Sequence, residues 1–307
     1  MLKFLFFVVL FILFSSLIFG QHFAAGNPVL SDAEQSYLSE KELVFSMSYQ
    51  HTYSNKYYKE DYAINDARYI NFNSNYAELR SAYAFTSKFS AFFNLGYFYN
   101  KTLNFDTVTY KGYGLGDVAI YFKYRLYNSK NAKFTLLPSI GILLPVGVFD
   151  QKDGTVNLPI SVQPSSGNFK ILGSVFMSKV MNDKLSISSL CSYEYAQLID
   201  SRNFYYKYGD QWKLSFFTTY KFSERIKAAV QLRFENKDKS HLAIDKIVES
   251  SGYKIIMFSP QLSYRFADDW QISVFADLPV YRYYNGVQFA PSYSLSLKLL
   301  KKFDLNF

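Results

Sequence analysis

The chain has 307 residues, with 33 Lys and Arg against 25 Asp and Glu, and Phe, Tyr and Trp make up 20% of it. Its net charge of +8 comes from basic residues spread at alternate strand positions and in loops, with no basic helix or cluster, which argues against nucleic acid as a partner. A single cysteine, Cys191, excludes an intramolecular disulfide. The three histidines, His22, His51 and His241, have no second ligand at metal spacing, so no metal or other cofactor is expected.

Met1 to Gly20 has a short basic start at Lys3, is apolar from Phe4 to Ile18, and ends on a small residue before Gln21. This predicts a cleaved secretory signal peptide over residues 1–20, in preference to an uncleaved N-terminal helix. No later stretch approaches the roughly 18 apolar residues that a membrane-spanning helix needs. Residues 21–42 are polar and predict a periplasmic lead or a small plug. Residues 43–307 then read as one domain of strands. Residues 43–53 alternate apolar and polar, the period of a strand with two unlike faces. A polar stretch reaches to about Asn75. Strands follow at 76–86 and 89–99, joined at hairpin length by Ser87-Lys88. A loop over 100–112 leads to a fourth strand at 113–127, and a polar turn leads to a fifth at 133–148. The loop at 149–167 is rich in Gly, Pro, Ser and Gln. Strands at 168–181 and 185–198 share a short turn, as do 211–222 with 226–235 and 252–266 with 270–283. In the last strand, 291–307, Tyr293, Leu295, Leu297 and Leu299 alternate with Ser294, Ser296 and Lys298.

Long connections follow the odd strands and short turns follow the even ones. With about twelve strands, this is the pattern of an all-β, transmembrane, antiparallel up-and-down barrel with both ends in the periplasm. An open sheet in lipid would leave edge amides unpaired at several kcal/mol each, so the wall has to close. A secreted β-sandwich or lipocalin-like barrel explains the alternation but not an apolar outer face along whole strands. Phe303, Leu305 and the terminal Phe307 continue the last strand's apolar row. They form the kind of end that barrel-assembly machinery reads in bacterial outer-membrane proteins.

Charge sets the faces. Lys or Arg on the lipid side at mid-membrane costs about 2–4 kcal/mol, and a slip by one residue would invert every side chain. The outward set therefore includes Val118, Ile120, Phe122 and Tyr124 in the fourth strand, Trp212, Leu214 and Phe216 in the eighth, and Val230 and Leu232 in the ninth. The predicted lumen lining is Glu78, Arg80, Asp117, Lys123, Arg125, Glu194, Lys213, Lys221, Arg233, Glu235, Arg265, Asp277 and Lys298. Basic groups exceed acidic ones there. Either they attract anionic or polar solutes, or they pair across the barrel and fill it. A Ser–His hydrolase on the wall fails on parity, because His51 faces out while Ser46 and Ser48 face in. No enzyme is expected.

Four stretches carry a family resemblance: GLGDVAIYFKYRL from Gly114, LPVG from Leu144, QPSSGNFKILGSVFMSK from Gln163, and SPQLSYRF with DLPVYRYYNGVQF between Ser259 and Phe289. They resemble the outer-membrane channels of the MetA-pathway-of-phenol-degradation type. That resemblance implies a barrel in the outer membrane of a Gram-negative bacterium, moving small, often hydrophobic, compounds. The basic lumen departs from a purely hydrophobic path. The resulting expectation is a passive channel whose partners are outer-membrane lipid, the assembly machinery and a small-molecule solute. The alternative is a filled barrel that binds a partner through external loops bearing Tyr57, Tyr58, Tyr205 and Tyr206.

Overall fold

The structure, a computed structural model, describes residues 38–64, 69–129, 131, 133–201, 204–243 and 246–305. The predicted signal peptide, residues 21–37 of the lead and Phe307 lie outside the described residues. Twelve strands form the wall: β1 (Glu42–Ser54), β2 (Tyr69–Ala84), β3 (Phe89–Phe105), β4 (Val118–Tyr124), β5 (Phe134–Leu144), β6 (Lys170–Val180), β7 (Leu185–Ala196), β8 (Gln211–Lys221), β9 (Ile226–Lys237), β10 (Tyr253–Ala267), β11 (Trp270–Ala290) and β12 (Tyr293–Asp304). Each pairs antiparallel with the next. β12 returns to β1, with Asp304 opposite Glu42 and Tyr293 opposite Tyr53, and the barrel is closed.

Burial alternates along the wall as the pattern predicts. In β1, Ser46, Ser48 and Gln50 are buried while Phe45, Met47 and Tyr49 are exposed; in β12, Ser294, Ser296 and Lys298 are buried while Leu295, Leu297 and Leu299 are exposed. The exposed side is continuous and apolar, with Ile140 at 64% and Met47 at 60% exposure. In water a patch of this extent is an aggregation site, whereas in lipid it is the matched surface. Cys191 shares this outer face. Aromatic side chains border it at the strand ends, with Tyr49, Tyr97, Tyr193 and Trp212 towards the external loops and Phe45, Phe89, Tyr220 and Trp270 towards the short turns.

Those short turns reuse one device. Thr86 Oγ1 accepts the amides of Lys88 and Phe89, Asn182 Oδ1 those of Lys184 and Leu185, and Ser223 Oγ those of Arg225 and Ile226. A short polar side chain at the first turn position thus satisfies amides that the hairpin cannot.

Several boundaries differ from expectation, for one physical reason. β2 begins at Tyr69, not 76, and β3 runs to Phe105, not 99. Their external ends carry an outward asparagine row in place of apolar residues. Asn75 Nδ2 donates to Asn100 Oδ1 at 2.5 Å, Asn100 Nδ2 to Asn73 Oδ1 at 2.7 Å, and Asn104 Nδ2 to Asn71 Oδ1 at 2.8 Å. This part of the wall stands above the lipid, where a polar outer face costs little, so the apolar period disappears. β11 likewise extends to Ala290. Its upper end leaves β12 and pairs with Lys56–Glu60, half of a small hairpin with Tyr62–Ile64 inside the expected polar stretch. The expected fourth strand is broken at Gly116-Asp117: Thr109–Leu115 and Val118–Tyr124 each pair with β3, and Tyr127–Ser129 pairs with β5. Val118, expected outward, is buried beside that break.

Thr218 and Thr219 test the faces directly, being adjacent but oriented outward and inward on β8. Thr218→Lys is expected to lower unfolding stability in lipid vesicles by about 2 kcal/mol, as for a cation on the lipid face below mid-membrane, and Thr219→Lys by well under about 1 kcal/mol. Urea titrations of the two variants in parallel provide the check.

Candidate functional site: the lumen

The inward row is built by parity, so each charge takes its position from its strand. Three groups emerge. The first joins β6 to β11. Arg233 Nε donates to Glu235 Oε1 at 2.6 Å, and Arg233 Nη1 lies 3.6 Å from Asp277 Oδ1. Ser259 Oγ donates to Asp277, and Gln211 Nε2 donates to Glu235 Oε2 at 3.0 Å and to the Tyr253 hydroxyl at 2.8 Å. Lys170 Nζ donates to Glu194 Oε1 at 2.7 Å. On the opposite side Arg80 pairs with Glu78, which also accepts from the Tyr76 hydroxyl at 3.3 Å. Charges this deep persist only with such partners, because desolvation alone costs several kcal/mol per ion.

The second group holds a loop inside the barrel. Residues 145–169, between β5 and β6, fold into the external mouth, where Val162, Gln163, Ser165, Ser166 and Asn168 are buried. Asp117, at the break in the fourth strand, accepts from Ser165 Oγ at 2.6 Å and from the Ser166 amide at 3.0 Å. Lys101 Nζ donates to the Gln163 carbonyl at 2.9 Å, and the Tyr208 hydroxyl to the Ser166 carbonyl at 3.0 Å. Burial pushes the Tyr208 hydroxyl well above its ordinary range, so it remains a neutral donor. The fit is close: a Cβ on Gly112 would fall 1.9 Å from the Val162 carbonyl oxygen. Other loops meet this one above the lumen. Tyr57, Phe72, Leu103, Leu158, Val162 and Phe289 form one cluster, and Ala196, Tyr206, Tyr208 and Val248 form another.

The third group lies towards the short turns. Lys123 Nζ sits 4.3 Å over the Phe92 ring, and Phe92 stacks on Tyr121. Arg125 Nη2 donates at 2.9 Å to the carbonyl of Leu38, which packs against Val44, Ala82 and Phe92. Lys298 is buried and Arg265 half-buried. Lys221 pairs with Glu224 at the turn, and its hydrogen bond holds that carboxylate below the usual range. Lys213 faces in on β8, and among the described residues no carboxylate lies within ion-pair distance of it.

The lumen has two unlike sides. β9, β10, β11, β12 and β1 present Ser and Gln, including Gln231, Gln261, Ser263, Ser273, Ser296 and Gln50, beside the paired charges of Arg233, Glu235 and Asp277 and the buried Ile255, Met257 and Phe275. β4 to β8 present Tyr121, Leu137, Leu172, Phe176, Leu190 and Phe217 around a cavity of about 210 Å³, with Lys123, Lys213 and Glu194 on its rim. Parity identifies the inward positions but not this division, which depends on which strands are neighbours. Lys170 could have been found by the same alternation. Lys101 could not, because a register shift between Phe98 and Lys101 reverses its face. Lys237 lies two residues beyond Glu235, past the expected end of β9. His51 is on the outer wall with Nδ1 at 2.9 Å from Asn75 Oδ1, across the wall from buried Ser46 and Ser48.

The family model described as "Putative MetA-pathway of phenol degradation" matches residues 100–290. Among solved structures, an outer-membrane channel from Pseudomonas putida F1 is 14% identical and superposes with a TM-score of 0.72 over 90% of this chain and 100% of that one. The NanC porin is 14% identical, with a TM-score of 0.51 over 84% of this chain and 100% of its own. A mutant of the TodX monoaromatic hydrocarbon channel is 9% identical, with a TM-score of 0.50 over 90% and 92%. No curated protein matches the chain in sequence. At these identities the likeness establishes the fold, a closed antiparallel β-barrel of twelve strands.

Arg233 tests the buried network. Arg233→Met removes the buried cation that Glu235 and Asp277 share and is expected to cost about 3–5 kcal/mol. Replacing all three with apolar residues of similar volume is expected to recover most of that loss. Chemical unfolding of the single and triple variants measures both.

Proposed function

The chain belongs to the family of the MetA pathway of phenol degradation, and on that premise we propose that it is a passive outer-membrane channel for small solutes. The carrying observation is the division of the lumen: an apolar cavity rimmed by cations on one side, and on the other a wall where Ser and Gln alternate with charges already paired. Such a passage accommodates a solute with both an apolar and a polar part. Predicted lining charges at Arg233, Glu235, Asp277, Glu194, Glu78 and Arg80 set the field along it, already neutralised in pairs. The packing of Leu38 within the turn-side mouth supports reading residues 21–42 as a small plug. Phe303 packs edge-on against Phe45 at 6.0 Å, which supports a last strand presented to the barrel-assembly machinery. The signal peptide over residues 1–20 completes this reading by delivering the chain across the inner membrane.

The loops packed over the external mouth favour one rival, a filled barrel that binds a partner from outside. Conductance of the refolded chain in planar bilayers separates the two, since a filled barrel passes no current and gives no liposome swelling. For a channel, Asp117→Ala is expected to raise the open fraction. A hydrogen bond to a charged group contributes about 1.5–3 kcal/mol, so losing one of those holding the loop changes the open-to-closed ratio about tenfold or more. Current traces with and without residues 21–37, for both sequences, locate the obstruction in the loop or in the lead. Removal of Phe307 is expected to lower the amount of protein recovered in outer-membrane fractions while leaving conductance per inserted molecule unchanged.

A further inference from the structure

The cavity between β4 and β8 carries more than a general preference for small solutes. Resting on the channel reading above, we infer that it binds a monocarboxylate attached to an apolar body the size of one ring, with Lys213 taking the carboxylate. Size comes first. At about 210 Å³ the cavity is smaller than the roughly 300–1,000 Å³ of sites for drug-sized ligands. An apolar cavity of about 150 Å³ already admits benzene, so a ring and one small polar group fill the space.

The lining fixes where each part lies. Leu137, Phe176, Leu190 and Phe217 give the ring an apolar seat. Lys213 stands on β8 between Ser192 of β7, which also lines the cavity, and Glu235 of β9, whose carboxylate is taken by Arg233 at 2.6 Å. The acid on the same rim, Glu194, is held by Lys170 at 2.7 Å, so it does not neutralise Lys213 by a direct pair. Gln211 is also engaged, donating to Glu235 and Tyr253. A neutral ring bound here would leave the Lys213 ammonium partly desolvated with nothing gained, and a cationic ring would meet two lysines and one neutralised acid. A carboxylate satisfies the ammonium with a charge-assisted bond. Lys123, at the other end of the apolar seat and towards the short turns, provides the next cation along the path.

The test titrates benzoate, benzamide and benzylamine, which share one ring and differ in charge, into the refolded full chain in detergent by isothermal calorimetry. Benzoate is expected to bind about tenfold or more tightly than either analogue, and Lys213→Gln to remove that preference while the heat-dependent gel shift of a folded barrel is retained. Equal affinities for the three compounds overturn the inference with the wild-type chain alone, even if the variant fails to fold. An undiminished preference in a folded Lys213→Gln variant also overturns it. Conductance in plain salt is scored separately. Current without a benzoate preference removes this site and leaves the channel, whereas a benzoate preference without current removes the channel and leaves the site.

Discussion

The whole structure depends on backbone hydrogen bonding in a medium that offers no water. Each amide and carbonyl within the lipid needs a partner on a neighbouring strand, and a sheet meets that requirement only when its first strand finds its last. The pairing of β1 with β12, from Glu42 opposite Asp304 to Tyr53 opposite Tyr293, meets it here. Once the wall is closed, side-chain parity sets the two faces of each strand between its bulges. Phe45, Met47, Leu295 and Leu297 meet lipid, and Ser46, Ser48, Ser294 and Ser296 meet the interior. Residues 145–169, the clusters over the mouth and the charges inside are all arranged within a cylinder that already exists.

Inside, the same lack of solvent makes charge expensive, and the chain responds by matching its charges. Arg233 is shared between Glu235 and Asp277, Lys170 binds Glu194, and Arg80 binds Glu78. These pairs are weak evidence of stability, since apolar replacements would serve as well or better. Their value lies in holding a polar path through a fold that would otherwise collapse on its own side chains. Asp117 serves a different end. It is fully buried and its oxygens are used by Ser165 and Ser166, so its contribution is the position of a loop.

Much of this was legible in the sequence where the membrane imposed it. Strand number, closure, the order of long and short connections and the faces of β1, β8, β9 and β12 all follow from a period of two within lipid. Legibility fails where lipid ends. Asn71, Asn73, Asn75, Asn100 and Asn104 point outward into water, so the upper ends of β2 and β3 resemble loop in composition. Register shifts at Asn75/Tyr76 and Phe98/Lys101 reverse the inward row, which concealed Lys101. The apolar side of the lumen was hidden for another reason. Leu137, Phe176 and Phe217 each occupy an inward position that parity expects to be polar, and only the adjacency of β5, β6 and β8 in the cavity wall gives them a common purpose.

The seam between β1 and β12 has a consequence for how the molecule comes into being. Apart from the upper end of β11 on Lys56–Glu60, all other wall pairings join strands that are neighbours along the chain, and three of the hairpins begin on a turn whose first side chain already caps its amides. Local pieces of this kind form early and at little entropic cost, whereas the seam must bring together the two far ends of the domain. Loop-closure entropy therefore favours the hairpins over the seam. Until the seam forms, the nascent sheet has two raw borders, at Glu42–Ser54 and Tyr293–Asp304, each a template for pairing with the wrong chain. Whatever escorts this protein to its membrane has those two borders to shield.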